Sequence, residues 1–142
     1  MIDLYGPTLL MSGDSLRRIF KFKGYSKKER KEMDKLFVNF YKFITDQKIN
    51  LIFTAIGMTH YTRNLNRKTV NNYIEIYIKS DLKKIIKLGK KRIYISTLKN
   101  IVGVDIKPEF PKKPHIVIKN NFKRNTNSLA KELIKKIIKI IK

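Results

Sequence analysis

An α/β fold, a parallel sheet with flanking helices, is what the sequence predicts, and three observations predict it. Short apolar runs rich in β-branched residues alternate with stretches of helical character, strand then helix, four times over. One helical stretch opens on a capping box, Ser26 with Glu29. The 142 residues suffice for one domain with a real core and not for two, and they show no internal repeat or linker, so 1–142 reads as a single domain.

Thr8 to Met11 is a brief strand that ends at Ser12-Gly13-Asp14, and Ser15 to Phe20 is helix-compatible. Ligands of open α/β sheets bind outside the carboxyl ends of strands, so Asp14 would face that crevice. Arg17 follows three residues later, near Asp14 on the same helix face. A carboxylate and a guanidinium there suit an anionic substrate handled near a metal ion. The plainer alternative is that Asp14 caps the helix and Arg17 is solvated.

Gly24-Tyr25-Ser26 breaks the chain again, and the capping box starts a helix at Lys27 that runs to about Gln47. Met33, Leu36, Phe37, Phe40 and Ile44 give it one apolar face. Ile49 to Ala55 has the signature of a buried strand, and Gly57 ends it. His60 to Val70 reads as a polar crossover with helical character, and Tyr73 to Ile78 as a strand. Ser80 caps a helix from Asp81 to about Leu88, stopped by Gly89. Lys90 to Pro114 shows no long periodicity and holds Pro108, Pro111 and Pro114; a loop of that length suggests a lid. His115 to Lys119 is the last strand. Asn127 or Ser128 caps a final helix with the stripe Ala130, Leu133, Ile134, Ile137, Ile138 and Ile141. Its lysines, at 131, 135, 136, 139 and 142, would also suit a membrane surface, but docking on the domain's own sheet is the expectation.

Composition narrows the chemistry. There is no cysteine, hence no disulfide or thiolate metal site. His60 and His115 are the only histidines and lie far apart, which argues against a histidine metal site or a Ser-His-Asp triad. No signal peptide and no bilayer-spanning run is evident, so a soluble cytoplasmic protein is expected, with no membrane partner. The net charge of +22 would suit nucleic acid. Yet lysine outnumbers arginine 26 to 7, isoleucine and asparagine share its A- and T-rich codons, and the lysines are spread along the chain. Arginine is the residue of bidentate base contacts, so specific nucleic-acid binding is not expected.

Several segments resemble the adenylylsulfate (APS) kinase family, in order and over nearly the whole chain. Gly13-Asp14-Ser15-Leu16-Arg17 resembles its Asp-Gly-Asp-x-x-Arg motif, and Gly24-Tyr25-Ser26 with Glu29-Arg30-Lys31-Glu32 its Gly-Phe-Ser-x-x-Asp-Arg-x-Glu-Asn segment. Thr54-Ala55 sits where the family has the strand before its Ile-Ser-Pro turn. Lys91-Arg92-Ile93-Tyr94 is similar to the lid's Lys-Gly-Leu-Tyr, and Val102-Gly103-Val104-Asp105 to Thr-Gly-Ile-Asp. Pro111 and Pro114 match the prolines before the last strand. The resemblance implies a three-layer P-loop kinase fold and transfer of the ATP γ-phosphoryl to the 3′-hydroxyl of adenylylsulfate in sulfate assimilation. It implies ATP and Mg²⁺ as cofactors, a small nucleotide as substrate, and it admits a homodimer. Asp14 would lie by the reacting hydroxyl and, through water, the Mg²⁺. Arg17 and Arg30 would hold the phosphosulfate end, Lys91 would close from the lid, and Asp105 would border the nucleotides. Phosphoryl transfer asks mainly for such positioning and charge neutralisation. A second branch of the family phosphorylates cytidine diphosphoramidate in capsule synthesis, and Asn66-Arg67-Lys68 and Asn100 to Asp105 look closer to that branch.

The residues also depart from the pattern. No G-x-x-x-x-G-K-[ST] occurs, so no P-loop cradles ATP. About a dozen residues precede Gly13, where a strand, loop and helix would need roughly 30. The first central strand of the family's sheet is therefore missing, which would leave the strands at 49–55 and 73–78 without a shared neighbour. Ser12 replaces the first Asp of Asp-Gly-Asp, Met33 the Asn of the second motif, and Ile56-Gly57-Met58-Thr59 the Ile-Ser-Pro turn. The expectation is an N-terminally incomplete domain, either a truncated reading of a kinase gene or a decayed relative, with little or no kinase activity alone. The alternatives are a kinase of a related nucleotide such as cytidine diphosphoramidate, a non-catalytic basic protein that binds nucleotides or nucleic acid, or a subunit whose sheet another chain completes.

Overall fold

Ser12 ends the first strand and caps the first helix. In the computed structural model, which describes residues 5–56, 58–88 and 100–141, β1 is Thr8–Ser12 and α1 is Gly13–Ile19. The Ser12 hydroxyl accepts from the Ser15 amide at 3.1 Å. The helix thus starts two residues earlier than the sequence suggested, and Ser12 takes the capping role open to Asp14. Lys21, at φ 54°, closes α1: its amide bonds to Arg18 O and the Phe22 amide to Arg17 O, a Schellman ending without glycine. The chain reverses there and carries Gly24 and Tyr25 back toward Arg17.

Helix α2, Lys27–Asp46, begins at the expected capping box. Glu29 Oε2 accepts from the Ser26 amide at 3.0 Å and from its hydroxyl at 2.6 Å, bonds that hold the Glu29 carboxyl below its ordinary pKa. A Cβ on Gly24 would overlap that carboxylate. Ser26→Ala and Gly24→Ala are each expected to cost about 1 kcal/mol in urea denaturation, and to be less than additive, because both undo one box.

The chain divides into two compact units, residues up to Tyr73 with Lys107–Phe110, and Ile74–Ile106 with Pro111 onward. In the first unit β2, Asn50–Thr54, pairs in parallel with β1, from Thr8 opposite Asn50 to Ser12 opposite Thr54. Helix α3, His60–Thr69, is a regular helix capped by Thr59. Helix α2 packs against β2 and α3 and buries Met33, Phe37, Val38, Tyr41 and Ile44. That face is turned from the one the sequence suggested: Leu36 is exposed, and Val38 and Tyr41 take its place. Leu16 joins them from α1, and Phe20, Phe22, Phe40 and Phe53 close round Phe37.

In the second unit β3, Ile76–Lys79, pairs in parallel with β4, Ile116–Lys119. β3 starts three residues later than expected, since the Glu75 amide donates to His115 Nδ1 at 2.8 Å instead of to a ladder. Helix α4, Leu82–Lys87, is capped by Asp81, not Ser80. Helix α5, Thr126–Ile141, lies on β4, with Lys136 Nζ 3.0 Å from Val117 O. Asn125 Oδ1 accepts from the Ser128 amide at 2.8 Å, the capping bond sought at Asn127 or Ser128. Among the described residues each sheet has two strands. No described helix is long and apolar enough to cross a membrane.

Candidate functional site

Arg17 sits on the inner face of α1, beside Leu16, and is only 7% exposed. The reversal at Lys21 covers it: Arg17 Nη1 donates to Gly24 O at 2.8 Å, and its guanidinium lies 4.2 Å from the centre of the Tyr25 ring. Nη2 is buried with no hydrogen-bond partner. The solvated alternative for Arg17 therefore does not hold. Arg30, one turn into α2, approaches the same ring at 5.4 Å and donates from Nε to Tyr25 O at 2.9 Å. Burial, then the Arg17 charge, pulls the Arg30 pKa below its ordinary value. Two like charges share one aromatic residue, an arrangement that gains when an anion arrives.

Asp34 follows Arg30 by one helical turn. Burial pushes its carboxyl above the ordinary range, against the opposing pull of the Thr62 hydrogen bond and the Arg30 and Arg17 charges. The Thr62 hydroxyl donates to Asp34 Oδ2, and Thr62 Oγ1 lies 2.8 Å from Thr59 Oγ1. On the same helix Arg63 Nη1 donates to Glu109 O at 2.7 Å, and the Glu109 carboxylate accepts from the His60 amide at the start of α3.

The structure thus brings Arg17 and Arg30 together. Asp14 is exposed in the first turn of α1 and joins none of the described ion pairs. A shallow depression of about 310 Å³ lies at the carboxyl end of the β1–β2 pair, lined by Leu10, Met11, Ser12, Ser15 and Thr54. Asp105 belongs to the second unit, where Oδ2 accepts from the Ile101 amide at 2.9 Å and closes a turn. Lys91 lies outside the described residues. Sequence reasoning had not singled out Tyr25 or Asp34. The available signal was the four-residue spacing of Arg30 and Asp34, which puts opposite charges on one helix face.

The family model for adenylylsulphate kinase matches residues 4–119. Cytidine diphosphoramidate kinase of Campylobacter jejuni subsp. jejuni serotype O:2 is 34% identical over 137 residues, 94% of this chain and 80% of the relative. A probable adenylyl-sulfate kinase of Archaeoglobus fulgidus is 25% identical over 114 residues, 77% of this chain and 74% of the relative. Among solved structures, Mycobacterium tuberculosis APS kinase CysC, in complex with AMPPNP and APS, superposes with a TM-score of 0.82 at 20% identity, covering 96% of this chain and 83% of that one. The likeness of fold, the match over residues 4–119 and a relative one-third identical along nearly the whole chain agree: this protein belongs to the adenylylsulfate kinase family.

Proposed function

We propose that residues 1–142 bind the anionic end of an acceptor nucleotide, as the acceptor-holding part of a kinase of this family. The observation that carries this reading is the buried Nη2 of Arg17, a cationic donor without a partner beside a second arginine. A buried unpaired guanidinium nitrogen is costly, and an incoming phosphoryl or sulfuryl oxygen would satisfy it. Cytidine diphosphoramidate is the acceptor we favour, because the relative named for it is 34% identical over 94% of this chain. Adenylylsulfate is the second reading, supported by the family match. In either case the family resemblance supports Asp14 beside the acceptor's hydroxyl, Lys91 as a substrate contact from the lid and Asp105 as a nucleotide contact. The family supports a cytoplasmic setting and one kinase-type domain over 1–142.

The family also implies ATP and Mg²⁺, and this stretch of chain has no loop to cradle the phosphates of ATP. None of the six glycines is spaced for a phosphate-cradling loop. Among the described residues no group of three His, Cys, Asp or Glu is gathered, so a Mg²⁺ would rest on nucleotide phosphates and, through water, on Asp14. No phosphoryl-transfer step is assigned to this stretch of chain.

Calorimetric titration of 1–142 with cytidine diphosphoramidate, adenylylsulfate and a random-sequence oligonucleotide tests the reading. One nucleotide should saturate one-to-one with a shallow salt dependence, while the oligonucleotide binds with the steep slope of counterion release. With ATP and Mg²⁺ added, no turnover is expected. Failure of every nucleotide to saturate would overturn the binding proposal, and turnover at an ordinary kinase rate would overturn the inactivity.

A further inference from the structure

We propose that Asp34 makes the site select an acceptor whose anionic end carries an N–H donor, a phosphoramidate, over ends built of oxygen alone. The proposal rests on the acceptor-binding reading above and asks which chemistry the same site prefers. Two arginines, which only donate, hold the oxygens of any anion and offer nothing to the N–H of a P–NH₂ group. A carboxylate beside them offers an acceptor. An ionised carboxylate only accepts, so it repels an oxygen-only anion and takes a hydrogen bond from P–NH₂.

Asp34 has the placement for this. It lies four residues after Arg30 on α2, the spacing that puts the two side chains on one helix face. Thr62 occupies Oδ2 and thereby fixes the carboxylate's orientation. The other oxygen makes no protein hydrogen bond among the described residues, and the residue is half-buried, not sealed. Met33, beside it, stands where the family's second motif has Asn, so the neutral amide of that motif is replaced by thioether and the polar group next in line is an acid.

A purely structural Asp34 would balance the arginines and tie α2 to α3 through Thr62. That role changes affinity for all anions together. The selective role changes the ratio between two ligands that differ at one terminal group, P–NH₂ against P–O⁻, and so also by one charge. The test is calorimetric titration of wild-type 1–142, Asp34→Asn and Asp34→Ala with cytidine diphosphoramidate and with CDP, which has oxygen in place of the amide nitrogen. Wild type should prefer the phosphoramidate by roughly tenfold or more, the scale of one hydrogen bond to a charged group. In both variants the ratio should fall to one or below, because the remaining arginines favour CDP, which has an anionic oxygen in place of the amide. Asp34→Asn keeps the size and a bond to Thr62, so it guards against loss of fold in the alanine variant. A wild-type ratio near one, or a preference unchanged in the variants, overturns the selective role while leaving acceptor binding intact. If neither ligand saturates wild type, the acceptor-binding reading itself fails and this one with it.

Discussion

Arg17→Met should lose nucleotide binding by at least a hundredfold while the protein keeps its fold and its melting temperature. The two expectations have one cause. Arg17 is almost wholly buried, yet among the described residues its side chain makes a single hydrogen bond, to Gly24 O, and leaves Nη2 unpaired. It also faces a second guanidinium whose pKa it depresses. In the free protein such a side chain is held at a cost, and a linear apolar replacement removes the unpaired donor and the like-charge repulsion together. In the complex the same groups would be paired, and truncating one partner of a desolvated charged contact costs about 3 kcal/mol, or more than a hundredfold. Arg17→Lys keeps the charge but loses the planar fork and the stacking on Tyr25, and is expected to recover only part of the affinity. Calorimetry for binding and thermal denaturation for stability separate the outcomes. A variant that unfolds would make Arg17 a structural residue and remove the main support for the acceptor site.

What the sequence disclosed about this region divides along physical lines. The capping box at Ser26 and Glu29 was legible because it is local, two side chains and two amides within one turn. The other helix starts were only approximate. Ser12 and Asp14, Ser80 and Asp81, and Asn125, Asn127 and Ser128 are all competent caps, and the backbone dihedrals that choose among them are not written in residue type. The burial of Arg17 was hidden for a different reason. It depends on a chain reversal at Lys21, where a left-handed residue that is not glycine ends the helix. The link from Asp34 to Thr62 joins positions 28 residues apart, and no periodicity within α2 points to it. The order of strands and helices, by contrast, follows from periodicity, and both strand pairs are parallel, as the alternation of strand and helix implies.

Phe37→Ala should cost 3–5 kcal/mol and leave the first unit close to unfolding, whereas Leu36→Ala, one residue earlier, should stay within about 0.5 kcal/mol. Both residues belong to the apolar stripe that periodicity assigns to α2, so the pair tests which face of the helix is inside. Phe37 is 3% exposed, and its ring centre lies 6.0 Å from Phe20, 6.5 Å from Phe22, 6.3 Å from Tyr41 and 6.2 Å from Phe53. Those rings come from the end of α1, the segment after it, α2 itself and β2, so one truncation opens a cavity that four segments border. Leu36 is 40% exposed. The stakes are raised by the sheet, since two parallel strands supply little stability alone and depend on the helix packed over them. Total stabilities of about 5–15 kcal/mol leave small room for such a loss. Because Leu16 and Phe20 flank Arg17 along α1 and join this core, Phe37→Ala should also weaken nucleotide binding, and saturating nucleotide should raise its urea midpoint. Equal costs at 36 and 37 would mean that α2 turns a different face to β2 than the one described.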